Sequence, residues 1–375
     1  MGWLNRMASR FDDWLDRRRM ERRRRKGQDD PVTVIAYPGW GDGERLWLRG
    51  SVVEEGKTEK PHAHESVWGD LMVTLKRFTA AEIMGATVRV RAGGAEAVCT
   101  TDSDGFFLAE LPVSSPRDVP ADRRWRPVDV RLEDFPGRRQ NPVAIEAQAL
   151  VPVSAARFGI ISDIDDTVLR TGIAEPLKNW RTIIESDAEA RVAFPGLAPL
   201  YRGLEKAGGE TSVNPVFYVS SGSWRLYDLV ARFMQINDIP RGPAFMDDWG
   251  LEETHWFKAS HGSHKIEAIE TLLALYPELN FILVGDSGQA DAQIYADMVK
   301  KHGSRIMAVW IRDVSGAARD AEVAELLREA RQGDRPVFAE ENLLDAARDA
   351  AARGWIDDAA LAAVEDAIRE AEGAT

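Results

Sequence analysis

Apolar and polar positions change rhythm twice along the chain. From about Val32 to Val153, short alternating or β-branched runs recur at Val32–Tyr37, Leu46–Val53, Ala86–Ala92, Phe106–Leu111, Val128–Leu132 and Pro142–Val151. Clusters of Gly, Pro and Asp separate them, a spacing that predicts a small antiparallel β-sandwich. Strands and helices then alternate. Strands are predicted over Phe158–Ser162, Pro215–Ser220, Pro243–Met246, Phe281–Gly285 and Arg305–Ile311. The intervening helices are Glu175–Val192, Leu197–Ala207, Trp224–Asn237, Lys265–Tyr276 and Ala290–His302. Right-handed crossovers between such strands predict a mostly parallel sheet. After Ile311 the sequence turns to Ala, Glu and Arg, and helices are predicted over Ala318–Ala330, Glu341–Gly354 and Asp357–Ala371. The expected division is a basic amphipathic segment (1–30), a β-sandwich domain (31–153), an α/β catalytic domain (154–315) and a helical extension (316–375).

With 375 residues, 44% of them hydrophobic, and a mean hydropathy of −0.31, the chain has the make-up of a globular protein with sizeable cores. No apolar run reaches the 18 residues that suggest a membrane span, and the start lacks the uninterrupted apolar stretch of a signal peptide. A single cysteine, Cys99, excludes an internal disulfide and any multi-cysteine metal site, which fits the cytoplasm.

Charge is unevenly spread. Residues 1–30 hold ten Lys/Arg against six Asp/Glu, about +4, so the remainder carries about −17 of a total of −13. Ahead of the basic block, Trp3, Leu4, Met7, Phe11, Trp14 and Leu15 recur at helical spacing. Such a helix suits an anionic membrane surface, giving peripheral association, or docks on the protein itself. Nucleic acid is not an expected partner, because the acidic body repels phosphate backbones.

The densest chemistry lies at the ends of the predicted parallel strands, where ligands sit in α/β sheets. The first strand ends in Asp163-Ile-Asp165-Asp166-Thr167. Carboxylates this close repel by roughly 4 kcal/mol at 4 Å and an effective dielectric of about 20, so they call for a hard cation such as Mg2+. Ser220-Ser221-Gly222 ends the second strand, and Gly285-Asp286-Ser287-Gly288-Gln289-Ala290-Asp291 ends the fourth. Lys265 opens the helix before that fourth strand, a position where the helix dipole disfavours a cation unless an anion compensates it. Two other motifs carry less. Asp102-Ser103-Asp104-Gly105 lacks the later ligands of a calcium loop and is expected to be a turn, and His62-Ala63-His64 belongs to a predicted exposed loop. Trp180, Trp224, Trp249 and Trp256 are candidates for an apolar rim, with core packing the commoner fate of tryptophan.

DIDDT after an apolar strand, a Ser closing the next strand, a Lys opening a helix and then GDSGQAD resemble the four ordered motifs of haloacid dehalogenase-superfamily phosphatases. FGIISDIDDTVLRTG, YVSSGSWRLYDLV and FILVGDSGQADAQIY resemble more narrowly the phosphatidate phosphatases of the actin-patch-protein type and their bacterial relatives. The resemblance covers about residues 157–312 and implies a Rossmann-like haloacid dehalogenase domain. It implies Asp163 as nucleophile forming an aspartyl phosphate, Asp165 as acid and then base, and Thr167 holding the loop. It further implies Ser220 donating to a phosphoryl oxygen, Ser221 and Gly222 contacting substrate, and Lys265 neutralising charge. Asp163, Asp286 and the backbone carbonyl of Asp165 would hold Mg2+, with Asp291 in support. The implied reaction is hydrolysis of phosphatidate to diacylglycerol and phosphate. The alternatives are another phosphate ester, or a membrane-associated scaffold or binding protein whose phosphatase site is unused.

Overall fold

The computed structural model describes residues 31–54, 82–117, 119–135, 143–164, 167, 194–207, 213–247, 263–287, 290–314, 317–331 and 334–373. The basic segment 1–30, His62 and His64, Asp165 and Asp166, the predicted helix Glu175–Val192, and Trp180, Trp249 and Trp256 lie outside them.

Eight strands form the first sheet: β1 (Val32–Ala36), β2 (Gly39–Gly41), β3 (Leu46–Glu54), β4 (Thr87–Ala92), β5 (Ala95–Thr100), β6 (Phe106–Leu111), β7 (Trp125–Asp134) and β8 (Val143–Leu150). Alternation decides which way they face. In β4, Val88 and Val90 are buried while Arg89 and Arg91 point outward to Glu133 and Glu96. In β7, Val128, Val130 and Leu132 join the same core. Asp102 closes the turn before β6, its Oδ1 accepting the backbone N–H groups of Asp104 and Phe106, each at 2.9 Å, as expected of a turn.

The pairing corrects the expected sandwich. The strands run β1-β3-β2-β8-β7-β4-β5, with β6 also on β3, so hydrogen bonds join all eight into one sheet. The short β2 makes the link, antiparallel to β3 and parallel to β8. The sheet is therefore mixed, not a pair of facing antiparallel sheets.

Six strands form the second sheet: β9 (Gly159–Asp163), β10 (Val216–Ser223), β11 (Ala244–Asp247), β12 (Phe281–Asp286), β13 (Ile306–Arg312) and β14 (Val337–Glu340), in the order β11-β10-β9-β12-β13-β14. Every pairing is parallel. Its helices are α1 (Leu197–Lys206), α2 (Tyr227–Ile236), α3 (Ser263–Leu275), α4 (Asp291–His302), α5 (Ala317–Ala330), α6 (Leu344–Ala352) and α7 (Asp358–Gly373). Every residue of β9 and β12 is buried, as continuous apolar runs covered on both faces should be. Ile160, Tyr218, Ile282 and Trp310 pack with α1, α2, α6 and α7, and Ile161, Phe217, Leu283 and Val309 pack on the other face with α3, α4 and α5.

A Rossmann-like haloacid dehalogenase domain behind a β-sandwich is thus replaced by a mixed α/β architecture of one mixed and one all-parallel sheet. The two sheets share cores. Tyr37 and Phe106 belong to the cluster on one face of the parallel sheet, and Trp40 and Leu150 to that on the other. Tyr276 Oη donates to the Gly41 carbonyl at 3.1 Å, and the Arg241 guanidinium lies 4.4 Å from the centroid of the Trp125 ring. Among the described residues no helix is long and apolar enough to cross a membrane.

Candidate active site

Parallel pairing brings the ends of β9, β10 and β12 to one edge of the sheet. Asp163 is in register with Val219, so Ser220 stands one residue beyond it, and the Ile164 N–H donates to the Val219 carbonyl at 3.1 Å. Asp163, Asp286 and Asp291 are wholly buried, and one carboxylate oxygen from each lies within 4.8 Å of the others. At that separation, with an effective dielectric near 20, each pair of charges repels by roughly 3.5 kcal/mol.

Lys265, in the first turn of α3, enters this cluster. Its Nζ lies 2.8 Å from Asp163 Oδ1 and 2.6 Å from Asp291 Oδ1. Burial pulls its pKa down, but the charges of Asp163 and Asp291 and their hydrogen bonds outweigh that and hold the ammonium well above its ordinary range. Asp291 is engaged at both oxygens, since its Oδ2 accepts the Asp286 N–H at 3.2 Å. One lysine does not neutralise three carboxylates. A buried, all-oxygen, net-negative donor set of this kind fits a hard divalent cation.

Gly285 makes the close approach possible. A Cβ there would stand 2.8 Å from Tyr295 Cε2 and 2.9 Å from Asp291 Cβ, inside normal contact. Tyr295 is fixed in turn by donating to the Val284 carbonyl at 3.0 Å.

Ser220 is buried and its Oγ accepts the Gly222 N–H at 2.8 Å, which closes the turn at the end of β10; Ser221 is exposed and Gly222 half-buried. Thr167 is buried. The structure thus brings Asp163, Lys265, Asp286 and Asp291 together and sets Ser220 beside them, while Asp165 lies outside the described residues.

Several supporting residues carry no motif signal. Ser162 Oγ donates to the Asp163 carbonyl at 2.8 Å and lies 2.7 Å from Tyr201 Oη, bracing the strand end from behind. Burial and the nearby Asp163 charge raise the Tyr201 pKa despite the Ser162 hydrogen bond, so the phenol stays protonated. Ser287 Oγ donates to Asp313 Oδ1 at 2.8 Å and accepts the Val314 N–H at 2.9 Å, tying the loop after β12 to the end of β13. Arg312, buried and in register with Asp286, lies over the Phe194 ring. Ser287 falls inside the quoted GDSGQAD run, but nothing in the run distinguishes it from a turn serine; Tyr201 and Asp313 have no local signal.

Residues 158–313 match the family described as phosphatidate phosphatase APP1, catalytic domain. The chain is 28% identical over 229 residues to phosphatidate phosphatase APP1 of Saccharomyces cerevisiae, covering 59% of this chain and 35% of that protein. It is 27% identical over 160 residues to an uncharacterized protein of Schizosaccharomyces pombe, covering 42% and 25%. The chain thus spans a quarter to about a third of the length of these curated relatives. Among solved structures, a minor pilin of Streptococcus sanguinis aligns with 71% of this chain and 86% of its own at 10% identity and a TM-score of 0.26, too low to bear on fold or function. The matched region holds Asp163, Ser220, Lys265, Asp286 and Asp291, and its likeness to a phosphatidate phosphatase catalytic domain supports a phosphoric monoester hydrolase.

Proposed function

We propose that the protein is a Mg2+-dependent phosphatidate phosphatase working through an aspartyl phosphate on Asp163. The observation that supports this most is the meeting of Asp163, Asp286, Asp291 and Lys265 within one buried cluster, inside the region that matches the family. In the first step an Asp163 oxygen attacks phosphorus, the bond to the ester oxygen breaks, and Asp165 gives a proton to the departing alcohol. In the second step Asp165 takes a proton from water, the water oxygen attacks phosphorus, and phosphate leaves as Asp163 is regenerated. Ser220 donates to a phosphoryl oxygen, with Ser221 and Gly222 beside it, and Thr167 holds the loop.

Lys265, pinned between Asp163 and Asp291, orients the nucleophile and offsets the charge that gathers there. Asp163, Asp286 and the Asp165 carbonyl would hold Mg2+ with Asp291 in support, and the ion would neutralise phosphoryl charge. The lipid substrate is supported by the yeast relative's name, and a peripheral position on the cytoplasmic membrane surface by the amphipathic, basic residues 1–30.

The test is release of inorganic phosphate from phosphatidate vesicles and from soluble phosphomonoesters, with Mg2+ and with chelator. Release from vesicles that needs Mg2+ and disappears in Asp163→Asn is the expected result. Activity confined to soluble esters removes the lipid, and activity on neither removes the phosphatase.

A further inference from the structure

The turn that carries Ser220 does not end in solvent. Strand β10 runs to Ser223, whose Oγ accepts the Arg225 N–H at 3.4 Å, and Trp224 follows at once. Trp224 is fully buried, and much of its cage comes from the other sheet. Its ring stacks on Tyr37 with centroids 4.8 Å apart and planes 29° from parallel. Tyr37 also meets Tyr227 edge-on at 4.8 Å, so it is wedged against both Trp224 and Tyr227, downstream of the turn. The guanidinium of Arg49, a buried residue of β3, lies 5.1 Å from the Trp224 centroid and 4.9 Å from that of Phe106. The wedge is itself held, since the Tyr37 N–H donates to the Arg49 carbonyl at 2.9 Å and Tyr37 Oη lies 3.2 Å from Ser51 Oγ. Outside the cage, Arg225 pairs with Glu82 at 2.7 Å and reaches Asp104 at 3.6 Å.

A stacked ring and a guanidinium over it are directional contacts, so they set where Trp224 lies as well as whether it is buried. Since only Ser221–Ser223 separate Trp224 from Ser220, a shift of the indole is transmitted to the hydroxyl. We infer that Tyr37 and Arg49 are positioning residues: acting through Trp224, they hold the Ser220–Gly222 turn in register with Asp163. The β-rich sheet is on this reading a working part of the active site and not a separate binding module. The inference rests on the phosphatase reading for its catalytic consequence.

The full chain is compared as wild type, Tyr37→Leu, Arg49→Met and Tyr37→Phe, which keeps the ring. Arg117→Met, which removes an ion pair between the β-rich part and Glu278 in the segment joining α3 to β12, is the control. Two readouts are taken: hydrogen exchange of peptides spanning 216–227 and 281–287, and kcat and KM for p-nitrophenyl phosphate. Tyr37→Leu and Arg49→Met should speed exchange in 216–227 and leave 281–287 unchanged. They should lower kcat by about tenfold or more with KM within about twofold, the pattern expected when the misplaced hydrogen bond to the phosphoryl oxygen is stronger in the transition state than in the ground state. Tyr37→Phe should restore both, and Arg117→Met should resemble wild type. Unchanged exchange in 216–227, equal acceleration in both peptides, or an Arg117→Met effect as large as that of Tyr37→Leu overturns the inference. If wild type releases no phosphate from any ester, the phosphatase reading fails by itself and exchange alone decides the positioning role.

Discussion

Gly285→Ala is the smallest change that tests how the acidic cluster is packed. The added methyl overlaps Asp291 Oδ2 and lies 2.8 Å from Tyr295 Cε2 and 2.9 Å from Asp291 Cβ. Carbon atoms settle at about 3.5 Å or more, so the ring alone must retreat by about 0.7 Å, and the carboxylate further. Tyr295 is anchored to the Val284 carbonyl and Asp291 to Lys265 and the Asp286 N–H, so little can yield without breaking one of these bonds. Overpacking costs roughly 1–3 kcal/mol, and a weakened hydrogen bond to a charged group roughly 1.5–3 kcal/mol. Alanine returns about 0.4–1 kcal/mol by restricting the unfolded chain, which leaves a loss of roughly 1.5–5.5 kcal/mol. Because the strained atoms orient Lys265 and hence Asp163, kcat should fall by about a hundredfold, the usual cost of displacing a catalytic group by an ångström. Denaturant midpoints with fitted slopes measure the first number, and turnover of a soluble phosphomonoester the second. A variant within about 0.5 kcal/mol of wild type, the range of inconsequential substitutions, would refute the packing argument whatever its activity.

Other expectations are as direct. Lys265→Met leaves Asp163 and Asp291 facing each other without their shared cation, so it should abolish turnover and cost roughly 3–5 kcal/mol, with Asp291→Asn in that background restoring part of the stability. Mg2+ should raise the unfolding free energy of wild type by about 2.7 kcal/mol at a hundredfold excess over Kd, read as a higher denaturant midpoint, and not that of Asp286→Asn; equal shifts in both would point to binding elsewhere. Burial raises the Glu205 carboxyl pKa in spite of the Arg124 guanidinium, so the folded state holds that proton more tightly than the unfolded chain. Its stabilising effect is full below the ordinary value of 4.5 and is lost as pH rises through the raised folded value; Glu205→Gln should therefore gain stability relative to wild type across that window. Removing residues 1–30 should weaken binding to anionic vesicles in a co-sedimentation assay, and unchanged sedimentation would dispose of the membrane helix.

The parallel sheet was legible because buried strands of this kind are written as unbroken apolar runs, with chemistry confined to their ends. Asp163, Ser220 and Asp286 could be placed from that rule, and Lys265 from the anomaly of a cation at a helix start. The pairing of the first sheet is not legible, for a reason of principle. Alternation shows which side chains turn inward but not which strands pair, and the pairing here depends on Gly39–Gly41, three residues without periodicity whose parallel partner lies more than a hundred residues away. Val337–Glu340 escaped in the same way, being too short to stand out between helices. Arg49 and Tyr37 look like ordinary strand residues in the sequence, and their meaning exists only in the contact with Trp224.

The strand β14 and the helices beyond it bear on what can be cut from this chain. Likeness to the phosphatidate phosphatase catalytic domain stops at residue 313, yet β14 extends the sheet by pairing with β13. Gly203 in α1 lies so close to α7 that a Cβ would come within 2.8 Å of the Ala360 methyl, and Phe158, just before β9, packs on Trp355 with centroids 6.1 Å apart. A polypeptide trimmed to the recognisable region would strip one side of α1 and bare the β13 edge to solvent, inviting self-association. The stretch that heredity marks and the stretch that can stand alone in water have different ends.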